Sequence, residues 1–210
     1  MPSHVFLPGW GAPAALYTPG LPVSWDVLEP PSFAASGGSL APYRRWLELE
    51  LRDRGRSSLA GHSMGGALAI LAAAETPELV ERLVLIAPAG LPLDKPIRQS
   101  LRDFLRQLVS GDYPHRLALA AMFALARAPR SALAVAEHVR ALDLRRECAR
   151  VRAAGIPTTV IGCVSDTLVT TDRTRALAEA LGAGYDELDL RGGHMWMLGN
   201  RSRLAIAVAG

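Results

Sequence analysis

The hydrophobic pattern of the chain alternates between short apolar runs and longer segments with helical character. The short runs, which predict strands, lie at residues 4–8, 24–28, 57–60, 82–88, 157–162 and 185–190. Helical spacing or a helix-forming composition occurs at residues 40–54, 67–74, 171–181 and 202–208. Strands that alternate with helices in this way predict an α/β fold, with a parallel sheet covered on both faces.

One long segment interrupts this alternation. Between about residues 91 and 140 no strand pattern occurs, and helical patterns are separated by Pro and Gly residues. An apolar stripe with the spacing i, i+3, i+4 and i+7 is formed by Leu101, Phe104, Leu105 and Leu108. We therefore expect a core built from residues 1–90 and 141–210, and a helical insertion of residues 91–140 over the edge of the sheet.

The sequence Gly-His-Ser-Met-Gly at residues 61–65 lies where the third predicted strand meets a helix-forming run. A Gly-x-Ser-x-Gly turn in this context is typical of a nucleophile elbow, which presents a strained serine at the top of a sheet. Gly61 and Gly65 leave room for the sharp turn, because a Cβ at either position would collide with neighbouring backbone. Ser63 is therefore the candidate nucleophile.

A serine hydroxyl needs a base within hydrogen-bond reach, and the base needs a third group to orient it. His194 follows the last predicted strand and Asp166 follows the strand before it, which is where open α/β sheets place their chemistry. We expect His194 to be the base and Asp166 the acid. The alternatives left open are His4, His62, His115 and His138 for the base, and Asp94, Asp172 and Asp189 for the acid.

An oxyanion needs two backbone donors, and the chain offers one candidate on each side of the nucleophile. The amide of Met64 comes directly after Ser63 and begins the next helix, where helix amides carry partial positive charge. The amide of Trp10 lies in a Gly-Trp-Gly turn, whose glycines would let the backbone approach the elbow. The alternative is that Trp10 is only a core aromatic residue in a tight turn.

The elbow, the Gly-Trp-Gly turn and the chain order Ser63, Asp166, His194 together resemble the α/β-hydrolase superfamily, from about residue 4 to the C-terminus. The resemblance implies an acyl-enzyme mechanism. In it, His194 takes the proton of Ser63, the amides of Trp10 and Met64 hold the tetrahedral intermediate, and water releases the acid.

Two features depart from the superfamily pattern. Members usually carry His-Gly before the oxyanion residue, where this chain has Pro8-Gly9, and they usually begin with two further strands. We therefore expect a reduced α/β-hydrolase fold of about six parallel strands, with the strand at residues 24–28 at one edge. The segment at 91–140 corresponds to the cap of many relatives and would be inserted after the fourth strand.

The resemblance leaves the substrate open, and the apolar insertion favours a hydrophobic one. Side chains expected to contact it are Trp10, Leu105, Met122, Phe123 and Leu168. The leading function is a serine carboxylesterase or thioesterase that cleaves a small to medium hydrophobic ester or thioester. The alternatives are a C–C bond hydrolase, a haloperoxidase-like enzyme or a lyase of the same fold, or a catalytically silent ligand-binding protein.

A weaker resemblance concerns the partner. The compact size and the Gly-Trp-Gly turn are similar to those of carboxylesterases that cleave methyl esters of acyl carriers, which makes an acyl carrier a candidate partner. Arginines that would meet its surface, or lie on solvated helix faces, are Arg98, Arg102, Arg106 and Arg116.

Composition excludes several other classes of function. The net charge of +3 comes almost wholly from arginines scattered among acidic residues, so nucleic-acid binding is not indicated.

The N-terminal residues lack the pattern of a signal peptide, and the most apolar window, residues 117–126, is about half the length of a bilayer span. Cys148 and Cys163 fit neither a disulfide framework nor a metal site. We expect a cytoplasmic protein with no membrane span, no metal and no organic cofactor.

Overall fold

The computed structural model describes residues 3–110, 119, 122–123 and 125–209, with only the backbone at 108–110. Its centre is one six-stranded sheet in which all neighbouring strands run parallel. The strands are β1 (Ser3–Leu7), β2 (Trp25–Val27), β3 (Ser57–His62), β4 (Val80–Ile86), β5 (Thr158–Cys163) and β6 (Gly184–Leu188). Their order, β2-β1-β3-β4-β5-β6, confirms the predicted parallel sheet with the Trp25 strand at one edge.

Successive residues of the central strands point to opposite faces of the sheet, and both faces are buried. Val5 and Leu85 belong to the core on one face, whereas Phe6 and Val84 belong to the core on the other. Burial on both sides accounts for the apolar runs at residues 5–7 of β1 and 83–86 of β4, whereas β3 is buried along its whole length although it contains Ser57, Ser58 and His62.

Helices cover both faces of this sheet, as predicted. They are α1 (Phe33–Ser36), α2 (Ala41–Arg54), α3 (Met64–Glu75), α4 (Ile97–Ser110), α5 (Pro129–Ala141), α6 (Arg145–Ala153), α7 (Thr171–Leu181), α8 (Trp196–Gly199) and α9 (Arg201–Ala209). Leu47 of α2, Leu68 of α3 and Leu177 of α7 pack into one core, and Leu204 of α9 packs into the other.

Several boundaries differ from the sequence-based expectation. Strand β4 begins at Val80, before the predicted residue 82, because Val80 pairs with Ser57 at the start of β3. Strand β6 ends at Leu188, so the following residues belong to the loop that leads to His194. Helix α1 was not predicted, and it begins after Ser32, whose hydroxyl accepts the Ala35 amide at 3.3 Å.

The segment between β4 and β5 contains α4, α5 and α6 in its described part. Leu117, His115 and Arg116 lie outside the described residues, as do half of residues 117–126 and the side chain of Leu108. Every helix of the described chain is too short or too polar to cross a lipid bilayer.

The strand order reverses direction once, between β1 and β3. From β1 the chain moves outward to β2 and then crosses to the other side of β1 to form β3, after which the strands continue in one direction. Ligands of open α/β sheets bind in the crevice at the carboxyl ends of the strands beside such a reversal. The turn after Leu7 and the turn after His62 both lie at this crevice.

Candidate active site

The turn from β3 into α3 holds Ser63 in a conformation that side-chain-bearing residues rarely adopt. Its φ is 54° and its ψ is −117°. A Cβ on Gly61 would lie 2.5 Å from the carbonyl oxygen of Gly65, and a Cβ on Gly65 would overlap the carbonyl of Leu7. The two glycines therefore permit the elbow, as the sequence predicted, and α3 begins directly after the serine at Met64.

The turn after β1 lies against this elbow. A Cβ on Gly9 would lie 2.8 Å from Nδ1 of His62, so only glycine permits the approach. Within the described part of the chain, no acceptor takes the amide protons of Trp10 or Met64. These two donors are thus available to a ligand, which is the arrangement that an oxyanion site requires.

The side chain of Trp10 holds the same turn against the helices above it. Its indole Nε1 donates to the carbonyl of Ala132 at 3.0 Å, and its ring contacts the rings of Phe33 and Phe104. Trp10 is therefore an anchoring aromatic residue, and its backbone amide remains available as a donor.

His194 and Asp166 form a buried pair. Nδ1 of His194 lies 2.7 Å from Oδ2 of Asp166, and the two residues are 2% and 3% exposed. The other carboxylate oxygen, Oδ1, accepts the amides of Leu168 and Val169 at 2.8 and 3.0 Å. Because three donors surround the carboxylate, it is held as an acceptor and fixes the proton of His194 on Nδ1.

The backbone of His194 is held from both sides by side chains. Its N–H donates to Oε1 of Gln107 from α4, and its carbonyl accepts a hydrogen bond from Nε2 of His62 at 3.0 Å. Gln107 also donates to Oγ1 of Thr167, beside Asp166, at 3.0 Å. The loops that carry His194 and Asp166 are thus tied to the same helix.

His62 continues this network to the turn after β1. Because its Nε2 donates to a carbonyl, its Nδ1 must be the acceptor, and the hydroxyl of Tyr17 donates to it at 2.8 Å. The Tyr17 oxygen in turn accepts the amide of Gly9 at 3.2 Å. Hydrogen bonds therefore connect the Gly-Trp-Gly turn, the elbow and the His194 loop through buried side chains.

Burial lowers the pKa of His62 well below its ordinary value. The proximity of His194, whose ring centroid is 4.6 Å away, acts in the same direction, whereas the hydrogen bond to the His194 carbonyl acts against it. His62 therefore stays neutral, which suits its role as donor on one nitrogen and acceptor on the other.

A small cavity of about 70 Å³ opens above these residues. Ser63 and His194 both line it, together with Gly9 and Trp10 of the Gly-Trp-Gly turn. The Ser63 hydroxyl makes no hydrogen bond within the described part of the chain. Further apolar side chains of the wall come from α4, from α5 and from the segments after β1, β4, β5 and β6: Ala12, Ala89, Leu93, Ile97, Leu101, Phe104, Ala136, Val139, Leu168, Val169 and Met195.

A nucleophile elbow, two available amides and a buried His–Asp pair at one crevice match a single family. The model of the "Alpha/beta hydrolase family" matches residues 5–207. The chain belongs to this family. A search of the curated proteins finds no match.

Solved structures share the fold of this α/β hydrolase at low sequence identity. The N-formylmaleamic acid deformylase Nfo of Pseudomonas putida S16 is 17% identical, with a TM-score of 0.71, over 100% of this chain and 92% of its own. An enol-lactonase of Burkholderia xenovorans LB400 is 20% identical, with a TM-score of 0.71, over 100% and 90%. A lipase-esterase related protein of Clostridium acetobutylicum ATCC 824 is 14% identical, with a TM-score of 0.74, over 99% and 94%.

Among the described rival candidates for base and acid, only His62 lines the cavity of this α/β hydrolase. His4 stacks on Trp25, and His138 interacts with the carbonyl of Gly38. Asp94 is 90% exposed and pairs with Arg173. Asp172 lies in the first turn of α7 and Asp189 in the loop after β6, and neither has an ion pair within the described part of the chain.

The residues expected to contact substrate divide into two groups. Trp10 and Leu168 line the cavity of the hydrolase. Leu105, Met122 and Phe123 are 38%, 44% and 64% exposed and are not part of the described cavity wall. On α4 it is Ile97, Ser100, Leu101 and Phe104 that line the cavity.

Sequence reasoning missed three polar residues at the site: Tyr17, Gln107 and Ser100. None belongs to a motif, and Tyr17 and Gln107 are distant in the chain from His62 and His194, to which they hydrogen-bond. Within the described residues, no group of three or more His, Cys, Asp or Glu side chains is arranged to hold a metal ion.

Proposed function

We propose that this α/β hydrolase cleaves small hydrophobic carboxylic esters or thioesters through an acyl-enzyme on Ser63. The observation that supports this most is the buried pair of His194 and Asp166, which borders the same cavity as the strained Ser63. Such a pair supplies the oriented base that a serine hydroxyl needs.

In the proposed first step, Nε2 of His194 removes the proton of Ser63 as Oγ bonds to the substrate carbonyl carbon. Asp166 stabilises the resulting imidazolium through its hydrogen bond to Nδ1. The negative charge on the former carbonyl oxygen is held by the amides of Trp10 and Met64. The intermediate then collapses, the bond to the alcohol or thiol breaks, and His194 returns the proton to that leaving group.

In the second step, water adds to the acyl carbon while His194 accepts one of its protons. Collapse of this intermediate breaks the bond to Oγ, releases the carboxylic acid and returns the proton to Ser63. His194 is the base in both steps, and the amides of Trp10 and Met64 are the donors in both, so one arrangement of these groups serves the whole reaction.

The cavity supports a short acyl group. Its volume of about 70 Å³ is well below the roughly 300–1,000 Å³ of pockets that take drug-sized ligands. Its wall is mostly apolar, and seven of the eighteen wall residues come from α4 and α5, which we interpret as the described part of the cap. A short hydrocarbon chain would displace water from this wall and gain about 0.8 kcal/mol for each buried CH₂.

The test is hydrolysis of p-nitrophenyl esters from acetate to decanoate, by the protein and by Ser63→Ala. We expect the highest kcat/KM at short chain length and a loss of roughly 10³-fold or more in the variant. Ser24→Ala, an exposed serine before β2, is the matched control and should behave like the unsubstituted protein.

Other results would point to the alternatives. Turnover that survives Ser63→Ala would remove Ser63 from the nucleophile role. Tight binding of acyl compounds without any turnover would favour a ligand-binding protein, and turnover of a C–C bond or of halide with peroxide would move the activity to those classes.

An acyl-carrier partner and a cytoplasmic location are further hypotheses. Arg98, Arg102 and Arg106 are exposed along α4, where they could meet an acidic carrier protein. If an acyl-carrier thioester is hydrolysed no faster than the matching acyl-pantetheine, the carrier hypothesis is wrong.

Cell fractionation with an antibody against the protein tests the cytoplasmic location, and recovery of the protein with secreted proteins would contradict it.

A further inference from the structure

Ser100 is a polar residue on the otherwise apolar side of the cavity. It lies in α4, is 7% exposed, and forms part of the wall that borders Ser63 and His194. Its hydroxyl oxygen is buried and has no hydrogen-bond partner within the described part of the chain. A buried hydroxyl in this state is destabilising, so it is uncommon in folded proteins.

Helix α4 does not supply the missing partner. A serine inside a helix commonly donates to the carbonyl four residues earlier, which here belongs to Pro96. That carbonyl already accepts the amides of Gln99 and Ser100, at 2.9 and 3.1 Å. The adjoining cavity is therefore the space from which a ligand can provide the partner.

The surroundings indicate a neutral partner. The neighbouring wall residues on α4, Ile97, Leu101 and Phe104, are apolar. Arg140 also lines the cavity, but its guanidinium is engaged by Glu137 at 2.8 Å and by the carbonyls of Leu93 and Lys95. Because this cation is already balanced, the wall offers a hydroxyl and little net charge to a bound group.

We propose that Ser100 determines substrate specificity by hydrogen-bonding a neutral oxygen on the acyl group. The preferred substrates are then short acyl esters or thioesters that carry a hydroxy, alkoxy or keto oxygen, a narrower class than the hydrocarbon esters considered above. This inference rests on the proposed hydrolysis at Ser63. We assign the recognised oxygen to the acyl group, because that group becomes bonded to Ser63, which borders the same cavity as Ser100.

The hydroxyl reaches such an oxygen by rotation about χ1. A staggered change of this torsion moves Oγ while the helix backbone stays in place. The bond that forms is between two neutral groups, which typically contributes about 0.5–1.5 kcal/mol, or up to about tenfold in an equilibrium or rate ratio. The expected selectivity is therefore moderate and measurable.

The experiment compares two esters that differ only by replacement of CH₂ with oxygen, p-nitrophenyl butyrate and p-nitrophenyl methoxyacetate. kcat/KM is measured for the protein, Ser100→Ala and Ser100→Cys, with Gln99→Ala as a control on the same helix outside the cavity wall. Comparing each ester across variants cancels the difference in chemical reactivity between the esters.

We expect Ser100→Ala to lower kcat/KM for methoxyacetate about fivefold to tenfold and to leave butyrate within twofold. Ser100→Cys, a weaker donor of similar shape, should fall between, and Gln99→Ala should change neither ester. The melting temperature of Ser100→Ala should be unchanged or higher, because the variant removes a buried hydroxyl that lacks a partner.

Failure of this inference and failure of the proposed function give different results. If both esters are hydrolysed by Ser63 and their ratio is unchanged in Ser100→Ala, the role of Ser100 is wrong and the hydrolase proposal stands. If neither ester is hydrolysed in a Ser63-dependent way, both proposals are overturned. A selective loss of p-nitrophenyl hemisuccinate hydrolysis would instead assign a carboxylate as the partner and would overturn the neutral-oxygen class.

Discussion

The floor and the roof of the cavity are built on different principles. The floor comprises Tyr17, His62, Ser63, Asp166 and His194, at the carboxyl ends of the strands and in the adjoining turns. It is polar, and apart from the Ser63 hydroxyl its described side chains are joined by hydrogen bonds of 2.7–3.2 Å.

The roof comprises the wall residues of α4 and α5, namely Ile97, Ser100, Leu101, Phe104, Ala136, Val139 and Arg140. Its side chains are mostly apolar, and its one hydroxyl, that of Ser100, has no hydrogen-bond partner in the described chain. Directional bonds fix atoms to within tenths of an ångström, whereas apolar packing sets volume and shape. The floor is therefore suited to fix the chemistry and the roof to choose the substrate.

The two regions are fastened together at a few points. Gln107 of α4 accepts the His194 amide and donates to Thr167, and Lys95 donates to the Thr167 carbonyl at 2.5 Å. Trp10 of the Gly-Trp-Gly turn donates a hydrogen bond from its indole to the carbonyl of Ala132 in α5. Changes confined to the floor should therefore alter kcat, and changes confined to the roof should alter the relative kcat/KM of different substrates.

The largest effect is expected from Asp166→Asn. The amide oxygen can still accept the Leu168 and Val169 amides, so folding should be preserved. The NH₂ group would face Nδ1 of His194 and favour the tautomer with its proton on Nε2, which cannot accept the Ser63 proton. We expect kcat to fall by roughly 10⁴-fold with little change in KM, measured by steady-state kinetics.

Asp94→Asn is the matched control for this prediction, because Asp94 is exposed and paired with Arg173. It should retain full activity. A large loss in Asp94→Asn combined with an active Asp166→Asn would transfer the acid role to Asp94 and remove Asp166 from the floor.

A smaller effect is expected from Tyr17→Phe. The variant removes the acceptor of the Gly9 amide and the donor to Nδ1 of His62. The Gly-Trp-Gly turn is therefore less firmly joined to the elbow. We expect a loss of about 1–3 kcal/mol in the free energy of unfolding and a decrease of about tenfold in kcat, with KM nearly unchanged. Chemical denaturation and steady-state kinetics measure the two quantities.

Tyr43→Phe separates stability from catalysis in this comparison. Tyr43 is 1% exposed, and its hydroxyl hydrogen-bonds Ser36, away from the described cavity wall. Its loss should destabilise the protein by a similar amount and leave kcat unchanged. Equal losses of kcat in both variants would show that the Tyr17 effect is only one of stability.

The smallest effect concerns pH. Because burial lowers the pKa of His62 in the folded protein, the unfolded chain binds a proton there first as pH falls below about 6.5. The unfolded state then holds more protons, so stability decreases as pH decreases. We expect His62 to contribute a loss of about 1 kcal/mol between pH 7 and pH 5.5, measured by urea denaturation.

His62→Gln is the control, since its amide can still donate to the His194 carbonyl but does not titrate in this range. The pH dependence of its stability should be weaker than that of the unsubstituted protein by the same amount. An unchanged pH dependence would mean that His62 does not remain neutral in the folded state.

The sequence predicted the floor better than the roof. Ser63 and its glycines form a local motif whose geometry follows from steric limits within a few residues. His194 and Asp166 follow strands, and parallel strands bring their carboxyl ends to one edge. The side chains facing the cavity from α4 were predicted less well, because an apolar stripe does not distinguish the cavity side of a helix from the side packed on other helices or left exposed. Leu105 was expected at the substrate and is 38% exposed, whereas Phe104, one residue earlier, lines the cavity.

By itself, the sequence determined the order of strands and helices, the elbow and the residue types available for acyl transfer, because these depend on periodicity and local sterics. Only the tertiary structure decided that Tyr17, Gln107 and Ser100 belong to the site. Their partners lie 45 and 87 residues away for Tyr17 and Gln107, and Ser100 is identified by a missing partner. Contacts between distant segments depend on how the elements pack, and a hydroxyl without a hydrogen bond is a property of three-dimensional surroundings that no local pattern records.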